Sequence, residues 1–126
     1  MKIDAIGVAS SDFAATAKFY ALLGFKFPQF AADAKHLEAV TLPGEVRLMI
    51  DDVGLMRDIM GVDPRPPTHS SFAIKCESPA RVDEACQRVR DAGYRIEKEP
   101  WDAFWGQRYG QVHDPDGNVV DLFAPL

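Results

Sequence analysis

Cysteine is scarce in this chain: its 126 residues include two, Cys76 and Cys86. They lie too far apart for a Cys-x-x-Cys pair, and no second pair exists to complete a structural metal site. Reduced, buried thiols are the expectation, with a Cys76–Cys86 disulfide as the other arrangement left open. Basic residues are also in deficit. Lys and Arg number 14 against 19 Asp and Glu, a net charge of −5, so neither nucleic acid nor an anionic membrane surface is the expected partner. No apolar run approaches the ~20 residues that a membrane-spanning helix needs. Met1-Lys2-Ile3-Asp4 passes straight into a strand-like pattern without the apolar region of a secretory signal, and a cytoplasmic protein is expected. Neither a phosphate-cradling glycine loop nor a nucleophile elbow occurs.

What is present is an ordinary globular balance, 47% apolar and 26% charged residues, enough for one domain or for two small modules sharing a core. The most informative stretch is Asp114-Pro115-Asp116-Gly117-Asn118, whose residue types favour a tight turn. Gln111-Val112-His113 before it and Val119 to Phe123 after it complete a β-hairpin pattern. In the second strand Val120 and Leu122 fall on one face; Val119, Asp121 and Phe123 fall on the other. A mid-strand carboxylate between apolar neighbours either sits on a wet face or occupies a cavity with a partner.

Taken in order, residues 3–10 alternate as a first strand with one face of small residues, Ala5, Gly7 and Ala9. Ser10-Ser11-Asp12 is a cap cluster for a helix whose stripe is Phe13, Ala17, Tyr20 and Leu23, and Gly24 ends it. Phe25 to Phe30, His36 to Leu42 and Glu45 to Ile50 are predicted strands, the first interrupted by Pro28. Residues 51–67 are irregular, and Leu55 to Met60 are expected as a short helix, either a lid over a pocket or a packed connector. The order then repeats. His69 to Cys76 is a predicted strand, and Ser78-Pro79 opens a helix with the buried stripe Val82, Ala85, Cys86 and Val89, ended by Gly93. Tyr94 to Lys98 is a strand, Pro100 to Gly106 a loop, and Arg108 to His113 a strand leading into the hairpin. The prediction is an α+β fold of two tandem βαβββ modules, residues 1–52 and 68–126, with a connector at 53–67. Because neither module buries both faces of its sheet alone, the two are expected to close around a cleft.

Val8-Ala9-Ser10-Ser11-Asp12, Lys18-Phe19-Tyr20, Leu22-Leu23-Gly24-Phe25, His69-Ser70-Ser71-Phe72-Ala73-Ile74 and Trp105-Gly106-Gln107-Arg108-Tyr109 followed by the Asp114–Asn118 turn appear in sequence. In order and spacing they resemble the vicinal oxygen chelate superfamily, which includes glyoxalase I, bleomycin-resistance proteins and extradiol dioxygenases. The resemblance implies paired βαβββ modules with curved mixed sheets around a cleft, often as a homodimer. It also implies one inward metal ligand from the first and last strand of each module. Carried over, those four positions are Ala5, Arg47, His69 and Asp121. Alanine has no donor atom and arginine is permanently cationic. Only His69 and Asp121 are left as metal ligands, with His36, His113 or Glu45 as sources of a third for Zn, Ni, Fe or Mn.

The same four positions suggest a cleft without a metal, in which Arg47 pairs with Asp121 and stands where the ion would be, orienting His69. The aromatic rings of residues 100–106 would be its walls, with Trp101 and Phe104 as ligand contacts, or would pack into the core or an interface. The leading expectation is a protein that binds a small planar or anionic molecule through Arg47, His69, Trp101, Phe104 and Asp121, with no cofactor. Two other readings are a metal-dependent lyase, isomerase or dioxygenase like glyoxalase I, and a metal-free enzyme using His69 as catalytic base, tuned by Asp121.

Overall fold

The computed structural model describes residues 1–67 and 71–126. Residues Met1–Arg65 and Pro66–Leu126 form two compact units. In the first, β1 (Ala5–Ser10), α1 (Phe13–Leu22), β2 (His36–Glu38), β3 (Arg47–Asp52) and α2 (Val53–Met60) follow one another. The second contains β4 (Phe72–Lys75), α3 (Pro79–Asp91), β5 (Ile96–Ala103), β6 (Gln107–His113) and β7 (Val119–Pro125). The fold is α+β, with a three-stranded sheet ordered β1-β3-β2 and a four-stranded sheet ordered β4-β7-β6-β5.

In both units the first strand pairs in parallel with the last, β1 with β3 and β4 with β7, while every other pairing is antiparallel. The helix between them makes the parallel return that a tight turn cannot. The caps are those the sequence predicts: Asp12 accepts from Ala15 N–H at the start of α1, and Ser78 caps α3 with Pro79 in its first turn. The α3 stripe Val82, Ala85, Cys86 and Val89 is buried, as are Val112, Val120, Leu122 and Ala124 in the sheet beside it. Removing each larger side chain of this set from water contributes about 1.5–3 kcal/mol. Gly110 allows the close approach: a Cβ there would lie 3.2 Å from Cys86 Sγ and 3.3 Å from the Lys98 carbonyl oxygen.

Four expectations are corrected. The buried face of α1 carries Thr16, Phe19 and Tyr20, not the predicted stripe of Phe13, Ala17, Tyr20 and Leu23. Thr16 can be buried because its hydroxyl pairs with that of Ser10 at 2.7 Å. Phe25 to Phe30 form no strand. Pro28 lacks a donor, and the contact there with a neighbouring segment is Val40 N–H to the Lys26 carbonyl, 2.8 Å. Strand β2 stops at Glu38 and does not run to Leu42. Finally, β5 runs through Pro100 to Ala103 where a loop was predicted. As an edge strand it tolerates proline, and register shifts between Ile96 and Lys98 and between Lys98 and Trp101 absorb the irregularity.

The Asp114–Asn118 turn closes β6 onto β7 as predicted. Asp114 is buried, and its carboxylate accepts from Asp116 N–H (3.0 Å), Asn118 N–H (2.9 Å) and the Asn118 side-chain amide (2.8 Å). Gly117, at φ 86°, supplies the left-handed residue that closes it.

Candidate functional site

Alternation along the strands gives each sheet one apolar face and one polar face. In the first unit the buried residues Val8, Leu37, Leu48 and Ile50 share a face. The opposite face carries Ala5, Gly7 and Ala9 from β1, Arg47, Met49 and Asp51 from β3, and His36 and Glu38 from β2. The small β1 residues leave the charged ones side by side. Arg47 donates through Nη1 to Glu38 (2.6 Å) and through Nε and Nη2 to Asp4 (3.2 and 2.7 Å). His36 places Nδ1 2.7 Å from Asp51 and Nε2 3.1 Å from Glu38.

A carboxylate only accepts, so a ring with both nitrogens on carboxylates is held as imidazolium. The His36 pKa is raised accordingly, first by the Asp51 hydrogen bond and then by the one to Glu38. The Glu38 carboxyl is held below its ordinary value by His36 and then Arg47. The guanidinium fork expected on Asp121 is bound by Asp4 and Glu38 of its own unit. Sequence reading missed both acids. Asp4 lies next to Ala5, the register partner of Arg47, and that adjacency was the available signal.

The second unit holds Trp101 and Asp121 on the sheet face opposite α3. Two rows cross it in register. Trp101 on β5, Tyr109 on β6 and Phe123 on β7 form an aromatic row; Lys98, Gln111, Asp121 and Ala73 form a polar row next to it. Asp121 accepts from Gln111 Nε2 (2.8 Å) and from the Ser71 hydroxyl (3.1 Å). Tyr109 also reaches it, and its hydroxyl pKa is pushed up to about 12 by burial first and then by the Asp121 charge. Tyr109 is therefore a hydrogen-bond donor here and no base. Trp105 stands edge-on to Trp101, Phe104 and Tyr109, with ring centroids 5.5, 5.0 and 5.4 Å away. Lys98 Nζ lies 4.9 Å from the centre of the Trp101 ring. The Trp101 indole N–H is shielded from solvent and has no hydrogen-bond partner among the described residues. Such an orphan donor costs about 1–3 kcal/mol.

Of the residues singled out from sequence, Trp101 and Asp121 therefore share one face of one sheet. Phe104 projects from the β5–β6 turn, 91% exposed, and touches the cluster through Trp105. Arg47 belongs to the first unit's acid–base chain. His69 lies outside the described residues. Tyr109, Gln111, Ser71 and Lys98 were missed; the two-residue spacing of Tyr109 and Gln111 was the signal for the first two.

At the three described family positions the side chains do not suit a divalent ion. Ala5 offers no ligand atom, Arg47 brings a cation, and Asp121 is already held by neutral donors. Both ring nitrogens of His36 are taken. His113 points Nε2 at Glu97 (2.5 Å) and Nδ1 at the Gly117 carbonyl (3.3 Å), and Glu45 accepts from Leu42 N–H (3.2 Å). Among the described residues no group of three or more His, Cys, Asp or Glu side chains could hold a metal ion. Both cysteines are free thiols, with the Cys86 pKa pushed up to about 11, mainly by burial. No helix among the described residues is long and apolar enough to cross a membrane.

Over residues 2–122 the chain matches the sequence model of the Glyoxalase/Bleomycin resistance protein/Dioxygenase superfamily, and it belongs to that superfamily. The fold is similar to that of a glyoxalase/bleomycin resistance protein/dioxygenase family enzyme from Burkholderia phytofirmans PsJN, with a TM-score of 0.82 at 15% identity over 100% of both chains. A hypothetical protein from S. aureus gives a TM-score of 0.79 at 19% identity, covering 94% of this chain and 90% of that one. Lactoylglutathione lyase from Agrobacterium tumefaciens gives 0.69 at 18% identity, covering 98% and 92%. At such identities the likeness is one of fold. No curated protein matches the chain closely enough to carry an activity across.

Proposed function

We propose that this protein binds a small planar or anionic molecule against the face of the second sheet opposite α3, without a catalytic metal. The observation that carries the reading is the pair of adjacent rows. An aromatic plate of Trp101 and Tyr109, edged by Trp105, lies directly beside a hydrogen-bonding floor of Asp121, Gln111 and Ser71. Rigid rings offer large apolar area at low entropic cost, and a few convergent polar groups fix a ligand's orientation. Asp121 is satisfied by neutral donors, as a carboxylate in a binding floor must be when no ion is present. The unsuited donor set at Ala5 and Arg47 supports the metal-free half of the reading.

The test uses the protein's own reporters, because both of its tryptophans lie in this cluster. Titration with the neutral planar probe 2-naphthalenemethanol should change tryptophan emission saturably, and calorimetry should show the binding abolished in Trp101→Ala. Absence of any saturable response to planar probes, neutral or charged, counts against the site. Near-stoichiometric Ni, Zn, Fe or Mn in the purified protein overturns the metal-free reading in favour of a metal-dependent enzyme.

A further inference from the structure

We propose that the ligand of this face carries a carboxylate or similar single anionic group, received by the Lys98 ammonium together with the Trp101 indole N–H. The inference rests on the aromatic-plate reading above and narrows it to aromatic monoanions. Two independent observations meet at one ring. The first is an indole N–H that is shielded and has no acceptor among the described residues. The second is an ammonium group over the same ring that has no carboxylate partner among the described residues. The acids on either side of Lys98 in sequence are both engaged elsewhere. Glu97 pairs with Arg95 at 2.8 Å and with His113, and Glu99 pairs with Arg90. A donor without an acceptor and a cation without a counter-ion both call for an electron-rich oxygen.

Lys98 has a flexible four-carbon stem, whereas the Trp101 ring is braced by Trp105. Lys98 is the group that moves, swinging from the ring face toward the incoming anion. Asp121 sets the other end of the specificity. In the register Lys98–Gln111–Asp121 it lies two strands away, about 10 Å at ordinary strand spacing. Its negative charge disfavours a second anionic group at that distance and favours a neutral or hydrogen-bond-donating end. The site thus discriminates between one-headed and two-headed aromatic acids.

Calorimetric titration of the intact protein with 2-naphthoate, 2,6-naphthalenedicarboxylate and 2-naphthalenemethanol tests this. Expected is tighter binding of 2-naphthoate than of either other probe. Lys98→Met should weaken 2-naphthoate about ten-fold, the scale of one charge-assisted contact, and leave the neutral probe unchanged. Lys98→Arg should restore most of that affinity, and Trp101→Phe, which keeps the ring and removes the N–H, should weaken 2-naphthoate selectively. The exposed position of Lys98 keeps its variants folded, and Trp105 emission checks Trp101→Phe. If all three probes bind alike and Lys98→Met changes none of them, the anion inference is overturned and the aromatic plate stands. If none binds, both fall together.

Discussion

His36 gives the first sheet a pH dependence whose direction follows from its two contacts. The imidazolium lies between Asp51 on β3 and Glu38 on its own strand, and its folded pKa is raised above the ordinary 6.5. A group whose pKa rises on folding contributes stability that is complete below its unfolded value and is lost as pH climbs through the folded one. Glu38 acts in the opposite sense. Its folded pKa is lowered from 4.5, so its contribution is complete above that value and is lost on acidification. The cluster is therefore at full strength between roughly pH 4.5 and 6.5, the unfolded values of the two groups. The His36 side chain is 46% exposed, and solvent screens both contacts. The contact with Asp51, the leading one, is worth about 1 kcal/mol at most. For a chain of this length that corresponds to a shift of about 3 °C in melting temperature.

The measurement is thermal unfolding of the protein and of His36→Gln at about pH 5.5 and about pH 8.5, on either side of an ordinary histidine titration. Glutamine presents one donor group and no charge. The variant should melt about 3 °C below the parent at the lower pH and within about 1 °C at the higher one. High salt should shrink the first difference, because the pairs are open to solvent. A gap that is constant with pH, or that widens as pH rises, refutes the doubly bonded imidazolium.

Three further substitutions follow from the packing. Leu122→Ala opens a cavity at a fully buried site in the central strand β7 and should cost about 2–5 kcal/mol, measured by denaturant unfolding. Asp114→Ala leaves two turn N–H groups without their acceptor and should cost about 2 kcal/mol or more; Asp114→Asn should recover part of it. Gly110→Ala sets a methyl 3.2 Å from Cys86 Sγ and should destabilise by about 1–3 kcal/mol, with Cys86→Ala in the same chain relieving much of the loss.

Local signals in the sequence carried the second unit well. The Ser78-Pro79 cap, the α3 stripe and the Asp114–Asn118 turn are each decided within a few residues, and each appears where local chemistry predicts. The errors arise where tertiary context outweighs local pattern. Pro100 reads as a loop signal, yet an edge strand leaves a missing N–H without consequence, so β5 continues and Trp101 becomes a strand residue paired with Tyr109. In α1 nearly every position is apolar or small, so period alone could not select the face that Thr16 and Phe19 share. The polar residues of the site posed a pairing problem. Asp121 was legible as a misplaced carboxylate, but Ser71 and Gln111 approach it only through the β4–β7 and β6–β7 registers. Arg47 was legible as an unusual strand cation; its acids Asp4 and Glu38 come from two other segments, and strand pairing brings all three together.

The position of β7 inside its sheet has a consequence for how the second unit assembles. The strand latest in chain order lies between β4, nearly fifty residues earlier, and β6, its hairpin neighbour. Until residues 119–125 are available, Phe72 to Lys75 have no backbone partner, and the inner edge of β6 is open to foreign strands. Closing that long loop carries an entropic cost that only the completed β4–β7 pairing repays. A chain cut before Val119 would lose the middle of its sheet, not a fringe, leaving two sticky edges where one continuous ladder belongs.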